Sequence, residues 1–461
     1  MRKNFAKSGK RFLICAGKGV FMDEQEFERD EQLLEARRLK RLEQRRRRKV
    51  QQRIVLGVLL VILILSMVLI VRGCKSRSAQ QEQPGETADA QQNAPESVVP
   101  TEPDTTVTIA AVGDIMMYDE QLDAARQDDG TYDFTSSFAA VSGSTVSADL
   151  TVGNLELNFC GEPYSGKPDF RAPESLAKTL SSIGFDVLQT ANTYSIQNGL
   201  SGLQSTIRYL DAAGLSHVGT YAAQDDKTSL GGVLLKNVNG VKIAFIAYTK
   251  GLNYLTLPEG EEYAVDVLYT DYASDFNKIN TDAIVESVNA AKALQPDVIV
   301  AMLHWGSESD SVVTDSQTKI KNLLFENGVD AIIGSHSHIV GPMEQEQVTT
   351  VDGTEKTCFV AYSLGNFFSS MDDSYAKNCR ESVVLNLSFT KNGQTGATQL
   401  SGVSYTPVYL MDHGEDAQTR YEILPIRSAI NSGLFPEMEQ TLTDAIAHLR
   451  AATASDYDSG K

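Results

Sequence analysis

The sequence predicts an α/β fold, a sheet with helices packed on its faces, preceded by a single transmembrane helix. Three observations predict it. Short apolar runs alternate with helical patterns from residue 107 onward. Asn239-Gly240, Asp352-Gly353 and Asn392-Gly393 are hairpin signals, so some antiparallel strands join the sheet. Residues 54–71 form an apolar run without a single charge.

Taken in order, the first strand is 107–112, ending in Gly113-Asp114. A second covers 149–152 and leads into Gly153-Asn154-Leu155-Glu156; a third covers 185–190 and ends in Ala191-Asn192. Helical patterns at 174–183 and 200–213 separate and follow these strands. Further on, 297–303 leads to His304-Trp305-Gly306, a helix is predicted over 315–327, and 329–333 leads to Gly334-Ser335-His336-Ser337-His338. No solenoid-type repeat is present.

Charge divides the chain. Overall it holds 41 basic and 60 acidic residues, a net −19. Residues 1–53 carry 17 basic and 8 acidic side chains, whereas 78–461 carry 21 and 52, a balance of −31. So acidic a body repels phosphates, which excludes nucleic acid as its partner. As a helix, 54–71 spans roughly 27 Å, close to the hydrocarbon thickness of a bilayer. Arg45 to Lys49 and Arg53 crowd its leading side, against Arg72, Lys75 and Arg77 on the other. The positive-inside rule therefore predicts a cytoplasmic N-terminus and a main domain outside the cell membrane, with membrane lipid as one partner. A cleaved signal peptide does not suit so long a leading tail, and Arg72 stands where a lipoprotein site before Cys74 needs a small residue. The expected organisation is a basic cytoplasmic tail (1–53), an anchor (54–72), a flexible linker (73–104), a folded domain (105–430) and a C-terminal helix and tail (431–461). The five cysteines are too few for a disulfide scaffold, and a Cys358–Cys379 bridge is one conceivable pairing.

Asp114, Glu156, Asn192, His304, His336 and His338 all follow directly on apolar runs. In open α/β sheets the carboxyl ends of strands line the ligand crevice, so these side chains would converge on one rim. His336 and His338 are two apart, which in an extended segment sends both to one side. Imidazole with carboxylate suits a divalent transition ion, and a shared carboxylate such as Glu156 could bridge two. Singly, each residue has a plainer explanation: Asp114 as a helix cap, Asn154 and Asn192 as turn residues, His304 as a core histidine. As a set, with three of six histidines at two strand ends, they favour a site.

Seven blocks carry a family resemblance: AVGDIM (111–116), GNLE (153–156), ANTYSIQNGLSGL (191–203), AYTKGLN (247–253), LHWGSE (303–308), GSHSHIVGPME (334–344) and YSLGNFF (362–368). In order and spacing they resemble the CapA family of capsule or poly-γ-glutamate synthesis proteins. The resemblance implies a calcineurin-like metallophosphatase fold, a sheet sandwich with flanking helices. It implies metal ligation by Asp114, Glu156, His304, His336 and His338, with Asn154, Asn192 and Asn366 at the rim. The cofactor would be one or two divalent ions, with manganese, iron and zinc not distinguished. Implied partners are an envelope polymer and other membrane proteins of polymer synthesis.

The third block departs from the family pattern of Ala-Asn-Asn-His with an acid three positions on. This chain has Thr193 in the ligand position, Tyr194 in the catalytic histidine's position and Gln197 for the acid. Tyrosine, with a pKa near 10, is a poorer proton shuttle than histidine near 6.5. Two functions stay open: a metal-dependent hydrolase or transferase, and a catalytically impaired scaffold that binds polymer or assembly partners. Lys167, Arg171 and Lys250 are candidates for a basic patch that would grip an anionic polymer, with surface solubility as the alternative role.

Overall fold

The computed structural model describes residues 103–453 and 457–460. The predicted basic tail, the anchor and all but the end of the linker lie outside the described residues. Among the described residues, no helix is long and apolar enough to cross a membrane.

Fourteen strands of the described residues form two sheets. They are β1 (Thr105–Ile115), β2 (Leu150–Leu155), β3 (Val187–Gln189), β4 (Ser216–Val218), β5 (Leu234–Val238), β6 (Val241–Thr249) and β7 (Val298–His304). The rest are β8 (Ala331–Ser335), β9 (Met343–Thr349), β10 (Glu355–Ala361), β11 (Asn366–Phe368), β12 (Glu381–Lys391), β13 (Thr398–Asp412) and β14 (Tyr421–Pro425). One sheet runs β14-β13-β12-β1-β2-β3-β4, with β11 paired to the end of β1; the other runs β5-β6-β7-β8-β10-β9. Parallel neighbours β2 and β3, β3 and β4, β6 and β7, β7 and β8 are joined through helices Ser175–Ser182, Gly199–Ala213, Thr281–Ala293 and Asp315–Asn327. Each predicted Asn-Gly or Asp-Gly pair sits at an antiparallel connection, β5–β6, β9–β10 and β12–β13.

Period-2 alternation decides what each strand face meets. Val107, Ile109 and Ala111 of β1 pack with Ile243, Phe245, Val300 and Met302 of the other sheet in a core between the two. Ala110 and Val112 face the opposite way, onto the helical layer containing Leu176 and Leu180. In β7, Ile299, Ala301 and Leu303 likewise meet Ile284, Val288, Ile320 and Leu324 of the two helices outside the second sheet. The result is a four-layer helix–sheet–sheet–helix arrangement, the sandwich that the family resemblance implies. Local signals set the helix ends: Thr314 and Gln317 form a capping box at the start of Asp315–Asn327, and Gly328, at φ 114°, ends it.

Helix Glu439–Ala452, set apart in the sequence with the tail, buries Leu442, Ala445 and Leu449 in the inter-sheet core. Asp458 follows it, with Arg427 and Arg450 on its buried carboxylate. The conceivable Cys358–Cys379 bridge is not formed: both thiols are free. Cys358 lies among the helices outside the second sheet and Cys379 on the outer side of the first, so the sandwich separates them.

Candidate metal centre

The chemistry-bearing residues sit where the carboxyl ends of both sheets meet. Asp114, near the end of β1, lies in register with Asn154 of β2 and with Asn366 of β11. From the other sheet, His304 ends β7 opposite Ser335 of β8, and the chain then turns through His336 and His338 towards Asp114. Two glycines allow the approach. A Cβ on Gly113 would stand 1.8 Å from the Gly365 carbonyl oxygen, and one on Gly334 would stand 2.1 Å from that of Tyr362.

Asp114, Glu156 and His304 are fully buried, and Asn154, Asn192, His336, His338 and Asn366 are buried too. Isolated buried charges are costly unless paired or bound to an ion. Here they fall into two groups, each with ligand atoms within 4.8 Å of one another: Glu156 with His304 and His336, and Asp114 with Glu156 and His338. Glu156 belongs to both. The Asn154 amide stands between the carboxylates, donating to Asp114 Oδ1 at 2.7 Å and Glu156 Oε2 at 3.3 Å.

The donor set fits divalent ions. Glu156 Oε1, His304 Nε2 and His336 Nδ1 are buried without a hydrogen-bond partner among the described residues. His304 Nε2 lies 3.0 Å from Glu156 Oε1, yet the contact lacks hydrogen-bond geometry. Adjacent octahedral ligands about 2.1 Å from one ion stand about 3.0 Å apart, so the spacing suits convergence on a cation.

The electrostatics differ between the groups. Burial opposes the Asp114 carboxylate, but the His338 hydrogen bond, the charges of His338 and His304 and the Asn154 amide together hold its pKa below the ordinary value. Burial also opposes the His338 imidazolium, yet the Asp114 hydrogen bond and the charges of Glu156, Asp114 and Glu308 push its pKa up to about 9. His336 is held well below the ordinary value by burial and by His304, His338 and Lys250. It is therefore a neutral donor, whereas an ion at the Asp114 group must displace a proton from His338.

His336 and His338 do not extend the strand as the spacing suggests. Both adopt left-handed backbone, φ 97° and 61°, and they serve different groups, with ring centroids 6.3 Å apart. Such strain in non-glycine residues persists where surrounding contacts over-determine the turn. Those contacts include Asp114 Oδ2, which accepts from His336 N at 3.3 Å, and the Ser337 carbonyl, which accepts from Ser309 N at 2.9 Å.

The rim asparagines support rather than line the groups. Asn366 Oδ1 lies 3.0 Å from His338 Nδ1, and the Asn366 amide donates to the Cys379 carbonyl. Asn192 Nδ2 donates to Asn154 Oδ1 at 3.3 Å and to the Leu155 carbonyl at 2.7 Å. Its own oxygen accepts from Tyr194 N at 3.1 Å. Tyr194 is buried against Phe170, with ring centroids 4.3 Å apart. Gln197 Oε1 accepts from Asn253 at 3.0 Å.

Strand-end reasoning misses the loops at the mouth. Thr249 Oγ1 lies 3.4 Å from His304 Nδ1, and Lys250, half-buried, donates to the Gly306 carbonyl at 2.6 Å. Tyr375 hydrogen-bonds Glu308, and Lys167 lies 4.9 Å above the Tyr375 ring. Arg171 instead braces its own loop by donating to the carbonyls of Gly161 and Glu162.

A model of the bacterial capsule synthesis protein PGA_cap matches residues 108–371, more than half of the chain. The PGA biosynthesis protein CapA of Bacillus subtilis (strain 168) is 25% identical over 317 residues, covering 66% of this chain and 73% of that protein. The capsule biosynthesis protein CapA of Bacillus anthracis is 26% identical over 270 residues, covering 57% of this chain and 59% of its own length. Among solved structures, a 5'-nucleotidase precursor from Thermus thermophilus aligns with a TM-score of 0.38 at 12% identity, over 75% of this chain and 59% of that one. A phosphatase from Mycoplasma pneumoniae aligns with a TM-score of 0.37 at 14% identity, over 66% and 94%. The matched span holds Asp114, Glu156, His304, His336, His338 and Asn366, and the chain belongs to the PGA_cap family of bacterial capsule synthesis proteins.

Proposed function

We propose that this chain is a membrane-anchored, extracytoplasmic protein of capsule, poly-γ-glutamate or related envelope-polymer synthesis or export, acting as a metal-dependent hydrolase or transferase. The observation that carries the reading is the pair of ligand groups joined by Glu156. Divalent ions there would supply Lewis acidity and a nucleophile at neutral pH, aimed at a phosphoryl or amide centre. The chain's own part is to hold the donors apart at fixed spacing: Asn154 between the carboxylates, Asn366 against His338, Thr249 against His304. Buried in the junction of two sheets, these side chains need little reorganisation when substrate arrives. The test is turnover of phosphodiester and amide substrates by the full chain in detergent, with and without divalent ions. We expect metal-dependent turnover that disappears in Glu156→Ala. Full turnover after verified metal removal would reject the mechanism. Protease digestion of intact cells tests the topology, and a protected domain would reject the extracytoplasmic placement.

One observation favours a second reading, a scaffold that binds polymer or assembly partners. Tyr194 lacks the acidic partner a proton shuttle needs, because Gln197 stands there and is bound to Asn253. Deletion of the protein would then cause envelope defects that a Glu156→Ala copy still rescues. Failure of that rescue at normal abundance counts against the scaffold.

A further inference from the structure

We propose that a tyrosine-lined cavity in the helical layer outside the first sheet is a saccharide-binding site that takes a neutral sugar unit. None of its lining residues belongs to the two ligand groups, and the inference does not depend on the metal-dependent reading.

Side-chain spacing makes the cavity. Tyr209, Ala212 and Ala213 recur at i, i+3 and i+4 on helix Gly199–Ala213, which puts them on one face, and Ser175 and Lys178 are three apart on helix Ser175–Ser182. The two alanines leave room between the helices, and the loops carrying Tyr132 and Tyr164 complete the walls. The cavity measures about 360 Å³. Small-molecule pockets span roughly 300–1,000 Å³.

Tyr132, Tyr164 and Tyr209 are each half-buried and pack against the core that holds Leu176, Leu180 and Leu210. The rings of Tyr132 and Tyr164 meet edge-on, with centroids 5.3 Å apart and planes at 84°, so they form a right-angled aromatic corner. The polar groups are held in place as well. Glu174 accepts from the Gly161 N–H and from the Tyr164 hydroxyl, both at 2.8 Å. A carboxylate offers about four acceptor positions, so these two bonds leave capacity for a ligand. Arg171 Nη2, donating to the Gly161 and Glu162 carbonyls, stiffens the loop that bears Glu162 and Tyr164. Glu162 and Lys178, both exposed, complete the lining.

This lining selects the ligand class. Two carboxylates against one ammonium, in a body of strongly negative balance, repel a polyanion. A cation would meet Lys178, and the charge of Glu174 is already met by two donors. A neutral sugar has an apolar C–H face for the phenol rings, and its hydroxyls donate to Glu174 or Glu162 and accept from Lys178. The loop that follows Glu156 carries Glu162 and Tyr164 to the cavity and Lys167 to Tyr375 at the mouth of the metal centre, so one segment serves both places.

The experiment is binding of the full chain, in a sugar-free detergent, to an array of neutral oligosaccharides, followed by calorimetry with the tightest of them. Tyr132→Ala, Glu174→Gln and Lys178→Ala should each weaken that binding about tenfold and leave the bound divalent ion unchanged. Lys178 is exposed, so its variant should also keep the parent's unfolding temperature. An array that captures nothing overturns the site, as does a saccharide held equally by the parent and all three variants. Displacement of the saccharide by tetramethylammonium at equal strength would assign the cavity to a cation instead. A chain that binds saccharide but takes up no metal supports the site and removes only the metal centre.

Discussion

Gly113 and Gly365 touch through their backbones: Asp114 N donates to Gly365 O at 2.9 Å, and the same oxygen occupies the space a side chain on Gly113 would need. The contact locks the end of β1 to the segment before β11 and so aims Asp114. Gly113→Ala would have to push two strand ends apart. We expect it to destabilise the fold by about 3 kcal/mol or more and to abolish ion binding, read by thermal unfolding and metal analysis.

Metal stoichiometry separates the two ligand groups. Mass-spectrometric analysis of the loaded chain should give about two ions in the parent and one each in His336→Ala and His338→Ala. Glu156→Ala, which removes the shared carboxylate, should fall below one. Equal retention in all three variants would contradict the grouping.

Asn366 touches the ligand residue His338 and belongs to neither ligand group, so its loss should act indirectly. Asn366→Ala should weaken the ion at the Asp114 group by roughly 10–100-fold and leave the His304 group unaffected, in competition with a chelator of known affinity.

Glu381, at the start of β12, is buried under His448 of the C-terminal helix, whose Nδ1 lies 2.9 Å away. Burial raises its pKa to about 7 despite the His448 contact, from an ordinary 4.5. The folded chain thus holds this proton more tightly than the unfolded chain does. Its contribution to stability is full below pH 4.5 and is lost as pH rises through 7. Glu381→Gln, which stays neutral, should raise the unfolding temperature at about pH 8 more than at about pH 5. The opposite ordering would show that the His448 ion pair outweighs desolvation.

Cys358 and Cys379 should stay reduced and unreactive in the folded chain. Burial pushes their thiols up to about 12 and about 11, and reactivity requires the thiolate. Neither should alkylate before unfolding, and a reductant should leave the unfolding temperature unchanged.

Much of this arrangement is legible in the sequence because apolar runs that end abruptly in Asp, Glu or His mark strand ends in an α/β sheet. Thus β1, β2, β7 and β8, the side chains after them and the helix Asp315–Asn327 can be placed by residue number. Periodicity carries no information on backbone that leaves the strand, so it sends His336 and His338 to one side, whereas they divide between two groups. Loop residues such as Glu308 and Tyr375 reach the mouth only through tertiary folding, and no spacing rule singles them out. The sequence places a helix in the C-terminal 431–461 but apart from the folded domain, and only the tertiary fold shows that Leu442, Ala445 and Leu449 of Glu439–Ala452 join the inter-sheet core.

β1 begins at Thr105 and presents Asp114 near its other end, nine residues and about 30 Å along the strand. The point where the polypeptide enters the domain and the point where ions would bind are thus opposite poles of one rigid rod. A change at Thr105 would therefore act at the pole remote from the ligand groups, so the two ends of this strand can diverge independently among proteins built on this plan.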